Sequence, residues 1–350
     1  MPRIAIIGTT TWGKTLGVVL SHKDSEVRLR ARTQQEAAQL RDAGPNPALF
    51  PDIAFPSQLS ITSSLDEALA GVQIVIMAVP SQTMRRNIGL AQGYLSESML
   101  VVSVAKGLEL GSCKRMSQVI AEEIAPRFRS NICVLSGPNL SREIIRGLPA
   151  ATVVAAEDEA VAKKAQKLLI APNFCVYTNT DIIGVELGGA LKNIVALGAG
   201  MVDGLGYGDN AKAAFITRSL VEIAALGLAL GANPLTFAGL AGLGDAIATC
   251  ASPLSRNHYV GVELTKGRSL KEITDSMTGV AEGVNTTVAA RQLAQQLGIE
   301  MPIMEKIYQV LFEGADPCHA VAESMAAEAG HELSGQKWEL HSFYQNQGHS

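Results

Sequence analysis

A lysine stands in the middle of the stretch 184–210, GVELGGALKNIVALGAGMVDGLGYGDN, which is apolar and studded with glycine. Around Lys192, the residues Leu187, Leu191, Ile194, Val195 and Leu197 recur at helical spacing, so this helix is predicted to lie against protein, not water. Burial disfavours an ammonium group, which would let Lys192 exchange a proton near neutral pH as a general acid or base. The plainer alternative is a buried stem with its head reaching water. Asp245, in LAGLGD at 240–245, is an acid among hydrophobic neighbours and needs a partner such as Lys192 or a substrate hydroxyl. Farther on, PLSRN at 253–257 places Ser255, Arg256 and Asn257 where a helix would begin. Free helix amides and a guanidinium bind anions there, although Ser255 alone reads equally as an N-cap and Arg256 as a surface charge. His258 reads as surface. Glu282, in GVAEG, suits a ribose hydroxyl or is simply a solvated loop acid.

The elements that must hold these residues change character near residue 180. Up to that point, short β-branched runs alternate with helical patterns, the signature of a parallel sheet covered by helices on both faces. Strands are predicted at 4–7, 27–31, 74–79, 99–104, 132–135, 151–155 and 174–177, with helices at 12–21, 33–43 and 157–170. Between the first strand and helix lies GTTTWG, 8–13, close to the dinucleotide fingerprint G-x-G-x-x-G but with Thr10 for the second glycine. A strand-to-helix turn that binds nothing is the alternative. If Thr10 crowds a pyrophosphate, its hydroxyl or that of Thr11 would compensate. At the end of the second strand no acid is present to hold ribose hydroxyls. Arg30 and Arg32 are, which favours the 2′-phosphate of NADPH over NADH, unless they form only a solvated basic strand end. The connection 44–56 is too rich in proline for a helix. Lys106, in AKG, and the turn SGPN at 136–139 fall at the carboxyl edge of the sheet, where open α/β sheets bind ligands. From Asp181 helical periodicity takes over, and Gly188, Gly189, Gly198 and Gly200 allow close helix packing. The fold class is therefore α/β: a Rossmann-like, mostly parallel sheet (1–179), then an all-helical part (180–330) and a polar tail (331–350) with no assigned function.

With 350 residues, 47% hydrophobic and 18% charged, the chain is long enough for two cores. A net charge of −4 gives no electrostatic case for nucleic acid or an anionic membrane. The five cysteines are scattered and odd in number, and no histidine clusters with them at ligand spacing, so no metal is expected. No signal peptide and no uninterrupted apolar run of spanning length is read, and a cytoplasmic location is expected.

Taken together, these residues resemble the NAD(P)-dependent sn-glycerol-3-phosphate dehydrogenases of the bacterial type. The resemblance covers nearly the whole chain before the tail. It is carried by AKGLE at 105–109, SGP at 136–138, IGVELGGALKNIVALGAGMVDGLGYGDNAK at 183–212, AGLGD at 241–245, SRN at 255–257 and EMPI at 300–303. It implies hydride transfer between NADPH or NADH and dihydroxyacetone phosphate, giving sn-glycerol 3-phosphate for phospholipid synthesis. Lys192 would be the proton donor and acceptor. Lys106, Gly137, Asp245, Ser255, Arg256 and Asn257 would contact the three-carbon phosphate with Lys192, and Asn139 stands where the family usually has Ser or Thr. Thr11, Trp12, Arg32, Lys106, Ser141, Arg256, Val280 and Glu282 would contact the nucleotide. A homodimer is also implied. Two other classes fit the plan less well. A β-hydroxyacid dehydrogenase would not carry SRN after AGLGD, and a non-catalytic nucleotide sensor would not need Lys106, Lys192 and Asp245 together.

Overall fold

The computed structural model describes residues 1–22, 25–45, 53–277 and 279–326. The polar tail and residues 46–52 of the proline-rich connection lie outside the described residues.

Eight short strands make one sheet: β1 (Arg3–Ile7), β2 (Glu26–Arg30), β3 (Leu59–Thr62), β4 (Ile74–Met77), β5 (Leu100–Ser103), β6 (Ile132–Ser136), β7 (Ala150–Ala155) and β8 (Phe174–Asn179). Their spatial order is β3-β2-β1-β4-β5-β6-β7-β8. Because the order reverses between β1 and β4, a crevice opens beyond their carboxyl ends, the usual place for a ligand in such sheets. Alternation along each strand feeds two layers. Ile4, Ile6, Val27, Leu29, Ile74 and Ile76 face one, and Ala5, Ile7, Val75, Met77 and Val101 the other. The first layer is covered by α1 (Thr11–Ser21) and α2 (Gln34–Ala43), the second by α3 (Leu65–Leu69), α4 (Met84–Ala91) and α5 (Met116–Glu123). The short α6 (Ser141–Ile144) packs on α1, and α7 (Glu159–Leu169) joins the first layer.

Two features depart from the sequence reading. β3 was not anticipated, since LSIT alternates apolar with polar residues and lacks the continuous apolar run that marks β4. β7 runs antiparallel to β6, and β8 follows β7 in parallel. A parallel return needs a crossover over the sheet face. Here the connection carries only α6, so it stays at the carboxyl edge and leaves Gly137, Asn139 and Ser141 there.

After β8 come α8 (Ile182–Gly204), α9 (Gly208–Ala229), α10 (Asp245–Ala251), α11 (Arg256–Thr265), α12 (Leu270–Ser276), α13 (Glu282–Leu297), α14 (Pro302–Phe312) and α15 (Pro317–Ala326). A single π-helical turn, Leu240–Gly244, leads into α10. The others gather round α8, which packs on α9, α10, α11 and α13 and is buried along almost its whole length. Glycine makes that possible: a Cβ on Gly200 would fall 2.1 Å from the His258 carbonyl oxygen, and one on Gly198 the same distance from the Phe215 ring. By length and mean hydropathy (1.5) α8 passes for a membrane-spanning helix, but Glu186 and Lys192 interrupt its apolar run and 89% of that window is buried inside the protein. It is a core helix.

Candidate active site

Two lysines from different elements meet at one carboxylate. Lys192 leaves the middle of α8 only 6% exposed, and its Nζ lies 3.0 Å from Asp245 Oδ1. The same nitrogen donates to the Thr249 hydroxyl. Lys106, just beyond β5, brings its Nζ to 2.5 Å from Asp245 Oδ2 and 2.9 Å from the Gly137 carbonyl. Asp245 is 1% exposed, and so deep a carboxylate is tolerable because each oxygen faces a cation. Burial pushes the Lys106 pKa down to about 8; Asp245 opposes that shift and Lys192 adds to it. α8 comes this close because a Cβ on Gly189 would fall 2.2 Å from Ser136 Oγ, and one on Gly188 2.8 Å from the Ala241 carbonyl oxygen.

Behind the lysines runs a line of amides. Asn193 Nδ2 donates to the Lys106 carbonyl (3.3 Å), and Asn193 Oδ1 accepts from Asn257 Nδ2 (2.9 Å). Asn257 Oδ1 in turn accepts from the Gly283 amide (3.0 Å), so Asn257 keeps one side-chain proton for a ligand. Ser255 caps α11, its hydroxyl accepting from the His258 amide at 3.2 Å. Arg256 is exposed and lies over Gly279, where a Cβ would come within 2.4 Å of Nη1. That puts its guanidinium next to Val280 and within electrostatic reach of Glu282. At the β6 rim, the Thr152 hydroxyl donates to the Ser136 carbonyl and therefore accepts from Asn139 Nδ2 (3.0 Å). This leaves Asn139 Oδ1 buried without a partner. One of the two Asn139 amide protons is thus committed to the scaffold.

The glycine turn decides whether a dinucleotide fits. Gly8 has φ +112°, and a Cβ there would fall 2.5 Å from the Ala78 carbonyl oxygen; one on Gly13 would fall 2.4 Å from that of Gly8. Thr10 is not turned outward. It caps α1, accepting from the Gly13 amide at 3.1 Å and donating to the Ala78 carbonyl at 2.9 Å. The amides of Thr11 and Trp12 open the helix with no acceptor among the described residues, and the Trp12 indole nitrogen is buried without one. Tight turn, free amides and a helix N-terminus suit a pyrophosphate. From here contacts run on to the lysines. Ser81, beyond β4, donates its amide (3.2 Å) and hydroxyl (2.5 Å) to Glu282, whose carboxylate lies against Gly107, next to Lys106.

A family described as NAD-dependent glycerol-3-phosphate dehydrogenase matches this chain twice, its N-terminal part over residues 3–162 and its C-terminal part over 181–322. The chain belongs to that family. Among relatives, the glycerol-3-phosphate dehydrogenase (NAD(P)+) of Dehalococcoides mccartyi strain 195 is 64% identical over 97% of this chain and 95% of its own length. The enzyme of the same name from Moorella thermoacetica is 48% identical over 96% of this chain and 99% of its own. The crystal structure of glycerol-3-phosphate dehydrogenase from Coxiella burnetii superposes with a TM-score of 0.87 at 34% identity, covering 93% of this chain and 99% of that one.

Within this dehydrogenase, Lys106, Gly137, Lys192 and Asp245 come together directly; Asn257 joins them through Asn193, Glu282 lies against Gly107, and Arg256 is within electrostatic reach of Glu282. Ser141 begins α6, against α1, and Arg32 stands at the exposed outer end of the crevice. Three readings are corrected. His258, taken as surface, is half-buried with Nε2 2.7 Å from Asp203 Oδ2. Glu282, which had loop solvation as an alternative, is the partly buried first residue of α13, its pKa lifted by burial. An acid does reach the end of β2: Glu36 comes back from α2 to accept from Thr9 Oγ1 at 2.6 Å and the Arg32 amide at 2.9 Å. Thr249, Asn193 and Ser81 were missed altogether.

Proposed function

We propose that this chain reduces dihydroxyacetone phosphate reversibly to sn-glycerol 3-phosphate with NADPH or NADH, and that Lys192 is its acid and base. The observation that carries the reading is the single buried carboxylate shared by Lys106 and Lys192 at the carboxyl edge of a dinucleotide-type sheet. When bound, the nicotinamide supplies the hydride to the C2 ketone. Lys192, positioned by Asp245 and Thr249, protonates the alkoxide forming at C2; in the reverse direction it takes the hydroxyl proton. Lys106 stands beside it as a second cation, favouring negative charge on the reacting oxygen. Arg256, with the first amides of α11 and the remaining proton of Asn257, holds the phosphate, so binding at the far end of the substrate fixes the ketone in place. Gly137 and Asn139, at the β6 rim, and Ser255, which caps α11 beside Arg256, would complete the substrate contacts. Thr11, Trp12, Ser141, Val280 and Glu282 would receive the nucleotide, with Arg32 at its adenosine end.

The nucleotide half spans 1–179 and the substrate half 180–330. A cytoplasmic homodimer supplying phospholipid precursors is the biological setting we assign; exposed Leu235 and Ile247 on the helical half are apolar surface that a dimer would cover. Following the absorbance of the reduced cofactor tests the chemistry. Lys192→Ala should lower kcat about a thousandfold and still bind NADPH; wild-type turnover would remove Lys192 from the mechanism. Arg256→Ala should raise KM for dihydroxyacetone phosphate, and an unchanged KM would dismiss the clamp.

A further inference from the structure

Glu36 occupies a position that the reaction chemistry does not use. Its Oε1 accepts from the hydroxyl of Thr9, within the glycine turn, and its Oε2 accepts from the Arg32 amide at 2.9 Å and from Arg32 Nε at 3.3 Å. The carboxylate is only 22% exposed, whereas the Arg32 side chain is 80% exposed. Lys14 and Arg30 both lie within its electrostatic reach, and Arg30 Nε is buried without a partner. So one acid bridges the β1–α1 turn and the end of β2, surrounded by three basic side chains. In dinucleotide folds this bridge is where the adenosine ribose lies. An acid there accepts from the ribose hydroxyls, and an arginine accommodates a 2′-phosphate. This chain has both, paired with each other.

We propose that Glu36 sets which nucleotide this chain takes, its carboxylate reading the ribose hydroxyls of NADH and releasing Arg32 to the 2′-phosphate of NADPH. This rests on the dinucleotide reading of the glycine turn. The exchange is inexpensive, since the Arg32 side chain is largely in water and Nε lies 3.3 Å from the carboxylate, while a guanidinium gains a charge-assisted, two-pronged contact with phosphate. Glu36 itself stays behind, because the Thr9 hydroxyl and the Arg32 amide do not depend on the ion pair. With NADPH, its charge then faces the 2′-phosphate and weakens binding.

The test is calorimetric titration of NADH, NADPH and adenosine 2′,5′-bisphosphate, without substrate, into the wild-type chain and three variants. Glu36→Gln should shift the ratio of NADPH to NADH affinity at least fivefold toward NADPH and tighten the bisphosphate. Arg32→Ala should shift the ratio at least tenfold the other way. Thr9→Ala, which frees the carboxylate from the turn without altering charge, should weaken NADH alone. Thr33 still caps α2 at the Glu36 amide, so the helix start survives these changes. If Glu36→Gln changes both affinities by one factor, Glu36 is only a brace and the proposal falls. Should that variant not fold, equal effects of Thr9→Ala on both nucleotides overturn it in the same way. A wild-type chain that binds neither nucleotide would overturn the dinucleotide reading itself, and this proposal with it.

Discussion

Lys106 is the residue whose charge changes nearest working pH. Its pKa, pushed down to about 8 by burial, puts loss of the ammonium just above neutrality. Below that value the cation is present for an anionic substrate, and above it the site holds one positive charge fewer. KM for dihydroxyacetone phosphate should therefore rise as pH passes about 8, and Lys106→Arg, which stays charged, should remove that rise. Steady-state rates from pH 6.5 to 9.5 decide it; a break that persists in Lys106→Arg belongs to another group. The charged residues of this site were legible in the sequence because charge amid apolar residues demands a partner, as Asp245 did. Thr249 and Asn193 were not, since an uncharged side chain in a helix gives no such signal. Glu36 was missed for another reason: it lies a helical turn beyond the strand end it serves.

Among the elements, α8 must approach the sheet closely enough for Lys192 to meet Asp245, and Gly189 sets that distance. A Cβ there would lie 2.2 Å from Ser136 Oγ, so Gly189→Ala should cost about 1–3 kcal/mol by overpacking and lower kcat through displacement of α8. Ser136 Oγ is buried without a partner, so Ser136→Gly removes the obstacle without breaking a hydrogen bond. The double variant should recover part of both losses; thermal unfolding and kcat measured together check this, and no recovery would place the constraint elsewhere. Helical spacing and glycine content predicted α8 and its tight packing well. The reversed direction of β7 was hidden, because strand direction follows from how the connecting chain runs and not from the strand's own residues.

For the whole molecule, the two halves are joined by acids from the helical side. Glu186, on α8, accepts from Arg115 Nη1 (2.6 Å), the Ser117 amide (2.7 Å) and the Ser117 hydroxyl (2.5 Å) at the start of α5, while Glu282 holds Ser81. Glu186→Ala leaves Arg115, 13% exposed, without its carboxylate and with only the Ser117 hydroxyl to donate to among the described residues, and should cost about 3–5 kcal/mol. Calorimetry should show one unfolding transition in the wild type and a lower or divided one in the variant. Inside the helical half, Glu222 accepts from the Ile303 and Met304 amides, yet burial lifts its pKa to about 7. The native state then binds the proton more tightly than the unfolded chain, so this residue's contribution to stability falls as pH rises from about 4.5 to about 7. Glu222→Gln should be less stable throughout, losing an acceptor, but flatter across that window; an unchanged slope would clear Glu222.

The burial of α8 also constrains how the protein is made. Its principal neighbours, α11, α9 and α13, follow it in the chain, so during translation this greasy segment leaves the ribosome before most of its covering exists. Nascent chains halted just after Gly204 should therefore recruit holding chaperones strongly, and those extended past Leu297 should release them.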